Sequence, residues 1–220
     1  MTFSRAFLFD LDGVIVDTAR FHYLAWKRLA KQLGFEFTEA QNEALKGISR
    51  MDSLEIVLKT GGITLSVEDK LKYATEKNAY YLELCSRMTP DDVLPGALEF
   101  IREAREKGIG TGLGSASKNA RTILDNVGIA AYFDTIVDGN RVKNSKPDPE
   151  VFLIGAEDLG VNPADCVVFE DAAAGIEAAG RAGMRAVGIG DPEVLGAADI
   201  VIPGFAGFKV EDLEFVNKIK

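Results

Sequence analysis

Three aspartates interrupt a segment that is otherwise as apolar as a buried strand: AFLFDLDGVIVDT, residues 6 to 18. Asp10 and Asp12 are two residues apart, and the alternation of a strand aims such a pair at one face. Two carboxylates in one small space raise each other's pKa or require a cation between them. The pair therefore points either to divided acid and base roles or to a metal. A single Asp after a strand is more often an N-cap or a turn residue, but the DxDG combination behind an apolar run reverses that preference. Further on, CVVFED delivers Glu170 and Asp171 together at the end of an apolar run. They offer oxygen ligands for a hard cation, which suits Mg²⁺ better than zinc because no Cys or His cluster exists. An N-cap with favourable dipole placement is the competing reading. TGLGSASKN places Ser115 at a strand end, with Lys118 and Asn119 opening a helix whose N-terminus suits an anion; capping by Ser117 accounts for the same residues equally well. In NSKPDPE, Lys146 precedes two prolines that fix the local backbone. A lone lysine is usually solvated, so this one gains meaning only from its companions.

Two kinds of texture must position these groups. Residues 19 to 88 read as helix throughout. Helical periodicity runs through Phe21, Leu24, Ala25, Leu29 and Leu33, stops at Gly34, and restarts behind the capping box TEAQ from Thr38. MDSLEIVLKTGG ends in paired glycines, and SVED from Ser66 opens a long helix, with Leu71, Ala74, Asn78, Tyr81, Leu82 and Cys85 on one face. From residue 89 onward, apolar runs alternate with helical segments; IGTGLGS, TIVD, CVVFED, AVGIG and DIVIPG are the strand candidates. That rhythm is the βαβ signature of a parallel sheet. The expected architecture is α/β: a doubly wound parallel sheet from residues 1–18 and 89–220, with an all-helical cap domain, residues 19–88, inserted after the first strand. Ligands bind outside the carboxyl ends of strands in such sheets, which is where the charged motifs fall.

Composition narrows the partners. The chain has 220 residues and a formal net charge of −9, which argues against nucleic acid or an anionic membrane surface as partner. No apolar run approaches the roughly 20 residues of a membrane span, and no signal pattern opens the sequence; a cytoplasmic monomer is expected. The two cysteines, Cys85 and Cys166, lack metal-ligand spacing and read as buried thiols.

DLDGVIVDT, GSASKN, SKPDPE and FEDAAAGIEAA resemble, in order and spacing, the four motifs of the haloacid dehalogenase (HAD) superfamily of phosphotransferases, with a Rossmann-like core; the helical insertion resembles its cap. Ala172 and Ala173 stand where that pattern is more polar, and Asp148 where it has alanine. Within the superfamily, KGISR at 46–50, SASKN at 115–119 and FHYLAWKRLA resemble the sugar phosphomutases. The resemblance implies that Asp10 is the nucleophile, forming an aspartyl phosphate, and that Asp12 is the general acid and base. It implies Mg²⁺ at Asp10, the Asp12 carbonyl, Glu170 and Asp171, and places Ser115, the Ala116 amide and Lys146 on the transferring phosphoryl group. Ser117, Lys118 and Asn119 are implied on the substrate. So, from the cap, are Lys46, Gly47, Ile48, Ser49, Arg50, Ser53 and Lys77, although a solvated loop and a solvated lysine are the plain alternatives. Thr18, His22 and Trp26, four apart, form a stripe along one helix face, and the position of the single histidine beside the hinge suggests coupling of closure to Asp12 rather than a satisfied core histidine. The implied reaction converts beta-D-glucose 1-phosphate to glucose 6-phosphate through a hexose bisphosphate. A Mg²⁺-dependent sugar-phosphate phosphatase is the alternative. A non-enzymatic sugar-phosphate sensor ranks third, since binding alone does not require the whole acid, lysine and metal set.

Overall fold

A computed structural model describes residues 3–46 and 48–213. In chain order the elements are β1 (Ala6–Phe9), α1 (Ala19–Gln32), α2 (Glu39–Glu43), α3 (Arg50–Thr60), α4 (Val67–Cys85), α5 (Ala97–Glu106), β2 (Gly110–Gly114), α6 (Ala120–Asn126), β3 (Thr135–Val137), α7 (Glu150–Leu159), β4 (Cys166–Glu170), α8 (Ala173–Arg181), β5 (Arg185–Ile189), α9 (Pro192–Leu195) and β6 (Ile200–Ile202). The six strands form one sheet in the order β3-β2-β1-β4-β5-β6, with every pairing parallel. Each run expected to be a strand is one, because strands buried on both faces must be continuously apolar. Alternation along β1 sends Phe7 and Phe9 into a core shared with α5 and α6, and Ala6 and Leu8 into a second core beneath α7 and α8. The sheet is thus doubly wound. Phe9 and Phe169 stack across the β1–β4 pair with ring centroids 4.7 Å apart, so the strands that end at the candidate carboxylates are locked side by side.

Among the described residues between β1 and α5, four α-helices stand and no strand. Thr38 makes the expected capping box with Gln41, and Ser49 and Ser66 each accept a hydrogen bond from a backbone N–H three residues on. These helices enclose their own small core around Trp26, Leu29, Phe37, Leu54 and Val57. The two chain crossings into this unit run beside each other: Val16 bridges Val93, and Leu94 N–H donates to the Ile15 carbonyl at 2.8 Å. Leu71 departs from expectation. It is 54% exposed because it faces the cavity between the helices and the sheet, while Ala74, Tyr81 and Cys85 carry the buried face of α4.

Candidate active site

Strand order reverses between β1 and β4, and the crevice beyond their carboxyl ends is where such a sheet binds ligands. β1 ends at Phe9, so strand alternation does not bring Asp10 and Asp12 together as the sequence suggested. A turn does. Asp12 N–H donates to Asp10 Oδ2 at 3.0 Å, and Gly13 takes φ +81°. Asp10 N–H continues the ladder to the Phe169 carbonyl at 2.9 Å, which sets Asp10 beside Glu170. Close approach of α8 completes the seat: a Cβ at Gly175 would lie 1.9 Å from Glu170 Oε1, so only glycine fits there.

Lys146 reaches this point from the loop before α7. Its ammonium donates to Asp10 Oδ1 and Glu170 Oε1, each at 2.5 Å, and the lysine is only 4% exposed. Burial works against the ammonium, but Asp10 and Glu170 outweigh it and hold the Lys146 pKa above its ordinary value. Oxygens of Asp10, Glu170 and Asp171 lie within 4.8 Å of one another. Burial first, and the neighbouring carboxylates with it, pushes the pKa of Asp12, Glu170 and Asp171 upward. Lys146 serves Asp10 and Glu170, and Lys46 stands 3.1 Å from Asp171. Three converging carboxylates against two ammonium groups still leave an excess of negative charge in a sequestered place, which is costly without a further cation. The donors are all oxygen, which fits a hard divalent ion. Asp12 stands apart from that cluster; its Oδ1 is buried with no partner.

The second expected anion site lies at the ends of β2 and β3. Ser115 is 1% exposed, and its Oγ accepts from Ser117 N–H at 3.2 Å. Ser117 Oγ in turn accepts from Asn119 N–H at 3.2 Å. The helix begins two residues later than expected, at Ala120, with Asn119 and not Ser117 as N-cap. Asn119 Nδ2 donates across to Asn78 Oδ1 of α4 at 2.8 Å.

A cavity of about 940 Å³ joins these groups to the helical unit. From the core it is lined by Asp10, Asp12 and Asp171, by Ser115, Ala116, Ser117, Lys118 and Asn119, and by Lys146. From the helices it is lined by His22 and Trp26, by Lys46, Ile48, Ser49, Arg50 and Ser53, and by Lys77. Thr18 is fully buried and Glu170 has no exposed surface; neither lines it. Gly47 lies outside the described residues. Lys77 Nζ sits 3.0 Å from His22 Nδ1 and over the Trp26 ring at 4.3 Å. Burial, then Lys77 and Arg50, holds the His22 pKa well below its usual value and so favours the uncharged imidazole. Burial, then Arg50, lowers the Lys77 pKa to about 7. Arg50 is half-buried and makes no ion pair with a carboxylate among the described residues. Sequence reasoning missed Asn42, buried in the cavity wall with an unpartnered Oδ1, and the Asn78 bridge, which had been read only as part of a helix face. Gly175 was legible in principle, since glycine inside a helix that follows a charged strand end signals close approach.

A Rossmann-ordered sheet whose switch point holds buried carboxylates and a lysine, covered by an inserted helical cap, defines a capped α/β enzyme of carboxylate chemistry. The chain matches the haloacid dehalogenase-like hydrolase family over residues 4–183 and belongs to that family. It is 44% identical to a beta-phosphoglucomutase of Bacillus subtilis over 90% of this chain and 88% of that protein. It is 34% identical to a fructose-1-phosphate phosphatase of Escherichia coli, over 83% of this chain and 94% of that protein. The crystal structure of a Clostridium difficile beta-phosphoglucomutase superposes with a TM-score of 0.93 at 44% identity, covering 99% of this chain and 98% of that one.

Proposed function

We propose that the chain is a phosphomutase that interconverts beta-D-glucose 1-phosphate and glucose 6-phosphate through an aspartyl phosphate and glucose 1,6-bisphosphate. The observation that carries this reading is the pairing, in one cavity, of the Asp10–Lys146 centre with Arg50, a half-buried cation that no carboxylate of the described residues neutralises. Monoester hydrolysis needs groups for one phosphate. A bisphosphate that turns round between half-reactions needs groups for two.

In this reading an Asp10 oxygen attacks one phosphorus of glucose 1,6-bisphosphate and the bond from that phosphorus to the sugar oxygen breaks, leaving phosphate on Asp10 and a glucose monophosphate as product. The hydroxyl of the next glucose 1-phosphate takes the phosphate back and regenerates the bisphosphate. Asp12, whose raised pKa favours the protonated form, gives its proton to the departing sugar oxygen and takes one back in the second half-reaction. Lys146, Ser115 and the Ala116 amide supply positive charge and donors where the transferring group spreads negative charge. Asp10, Glu170 and Asp171 would hold Mg²⁺, which supplies further charge neutralisation between anionic nucleophile and anionic phosphate. Arg50, Lys118 and Asn119 bind the phosphate that is not reacting, arginine through its planar fork. His22, Lys77 and Trp26 line the sugar side. The cap excludes water from phosphorylated Asp10.

Product analysis tests this. Each anomer of glucose 1-phosphate is supplied with Mg²⁺, with and without glucose 1,6-bisphosphate. Formation of glucose 6-phosphate from the beta anomer alone supports the proposal. Stoichiometric release of inorganic phosphate without isomerisation assigns the chain to the phosphatases instead.

A further inference from the structure

Lys46 Nζ stands 3.1 Å from Asp171 Oδ2 and 3.0 Å from Glu43 Oε2. Lys46 belongs to the segment that joins α2 to α3 in the cap, whereas Asp171 is one of the three clustered carboxylates of the core. Asp171 has little room to withdraw: its side chain is 9% exposed, and a Cβ on Gly13 would lie 2.2 Å from its Oδ2. Glu43, by contrast, is 62% exposed and shares the ammonium from the solvent side. One cap cation is therefore divided between an exposed surface carboxylate and a nearly buried carboxylate of the cluster.

We propose that Lys46 is a cap-borne counter-cation of Asp171 that competes with the divalent ion, so that metal loading and release of the Lys46 ammonium from Asp171 form one coupled equilibrium. This rests on the reading of Asp10, Glu170 and Asp171 as the metal site. An ammonium on Asp171 Oδ2 takes one of the two oxygens that carboxylate offers and sets like charge beside an ion at the other, as Lys146 does from the core side at Asp10 Oδ1 and Glu170 Oε1. Linkage makes the effect reciprocal: to whatever extent the ion pair opposes the metal, the metal opposes the ion pair. Loading would thus free the Lys46 ammonium from the core, on the same side of the cavity as Arg50, the residue assigned above to the distal phosphate. Glu43 sets the balance. Without it, Lys46 is left wholly to Asp171.

The test is Mg²⁺ titration of the full chain by calorimetry, with no substrate present. Lys46→Met should tighten Mg²⁺ binding by about 3- to 20-fold, the range expected for removing a partly exposed competing charge. Glu43→Gln should change affinity in the opposite direction, weakening it by about 2- to 5-fold, and this exposed substitution keeps the test available if Lys46→Met loses its fold. Lys143→Met removes a cation that lines the same cavity without an ion pair among the described residues; it should shift affinity by less than about 2-fold. Unchanged or weaker binding in Lys46→Met overturns the proposal, as does an equal gain in Lys143→Met, which would mean that net charge alone is at work. If neither wild type nor Lys46→Met takes up Mg²⁺, the metal reading itself has failed. If wild type binds and Lys46→Met gains nothing, only the competition has.

Discussion

Core and cap bury polar groups in different company. In the core, the Lys146 ammonium, Asp10 and Glu170 bond to one another, and Glu170 Oε2 also accepts from Ala172 N–H at 2.9 Å. The Lys146 ammonium lies over the Phe152 ring at 4.8 Å, and in the apolar core Phe7 stacks on Phe100 and Phe9 on Phe169. In the cap, Lys77 is 4% exposed, touches the His22 imidazole and the faces of Trp26 and Tyr81, and makes no ion pair among the described residues, although Arg50 and Asp12 act on its charge from farther off. Among the described residues Arg50 makes no ion pair with a carboxylate and Asn42 Oδ1 has no hydrogen-bond partner. Buried polar groups are normally satisfied, so a cluster that is not calls for an explanation. The core holds a surplus of negative charge suited to a cation, and the cap holds positive charge suited to an anion. In the proposed reading chemistry resides in the first and selection in the second.

The hardest way to break this division is at the nucleophile. Asp10→Asn should fold and still bind sugar phosphate, yet lose transfer by at least ~10³-fold, since a neutral amide does not form the phosphorylated intermediate. Thermal melts and single-turnover assays of the variant check both halves; near-normal turnover would remove Asp10 from its role. Asp12→Asn comes next. Its backbone carbonyl is unchanged, so metal affinity should be largely kept, while the missing proton transfer lowers turnover by ~10² to 10⁴. Calorimetry and steady-state rates separate these outcomes, and unchanged isomerisation would require another acid.

The cap offers a test in stability. Burial lowers the Lys77 pKa from 10.5 to about 7. Across that window the unfolded chain holds a proton that the folded chain does not, so stability rises as pH goes up from 7 to 10.5. Lys77→Met should therefore stabilise the protein near pH 6.5, by about 1 to 4 kcal/mol once lost ring contacts are set against relief of the buried charge. The gain should shrink toward pH 9.5. Denaturant unfolding of both proteins at the two pH values measures it. A loss of stability at pH 6.5, or a gain that ignores pH, contradicts the account. Such a residue trades stability for function.

The two regions also differ in how far the sequence reveals them. Every strand was legible because a parallel strand covered on both faces must be apolar from end to end, and the caps at Thr38, Ser49 and Ser66 follow from local hydrogen bonding alone. Asp10, Glu170 and Asp171 could be grouped because strand ends in this architecture converge on one edge. What local pattern could not supply was contact at long range. Asp10 and Asp12 meet through a turn and not through alternation, Leu71 faces the cavity although its spacing matches the buried face, and Lys46 reaches Asp171 from 125 positions away along the chain. Each of those depends on where the cap rests on the sheet, which no periodicity within the cap encodes.

The division of labour is tested most directly at Arg50, with two assays on one variant. Acetyl phosphate carries no distal phosphate, so its transfer to Asp10 needs only the core. Arg50→Ala should leave that phosphorylation within about 2-fold of wild type, while isomerisation falls by roughly 10- to 150-fold, the effect of losing a charge-assisted phosphate contact. Equal loss of both activities, or change in neither, would contradict a cap that holds the second phosphate over a core that transfers the first.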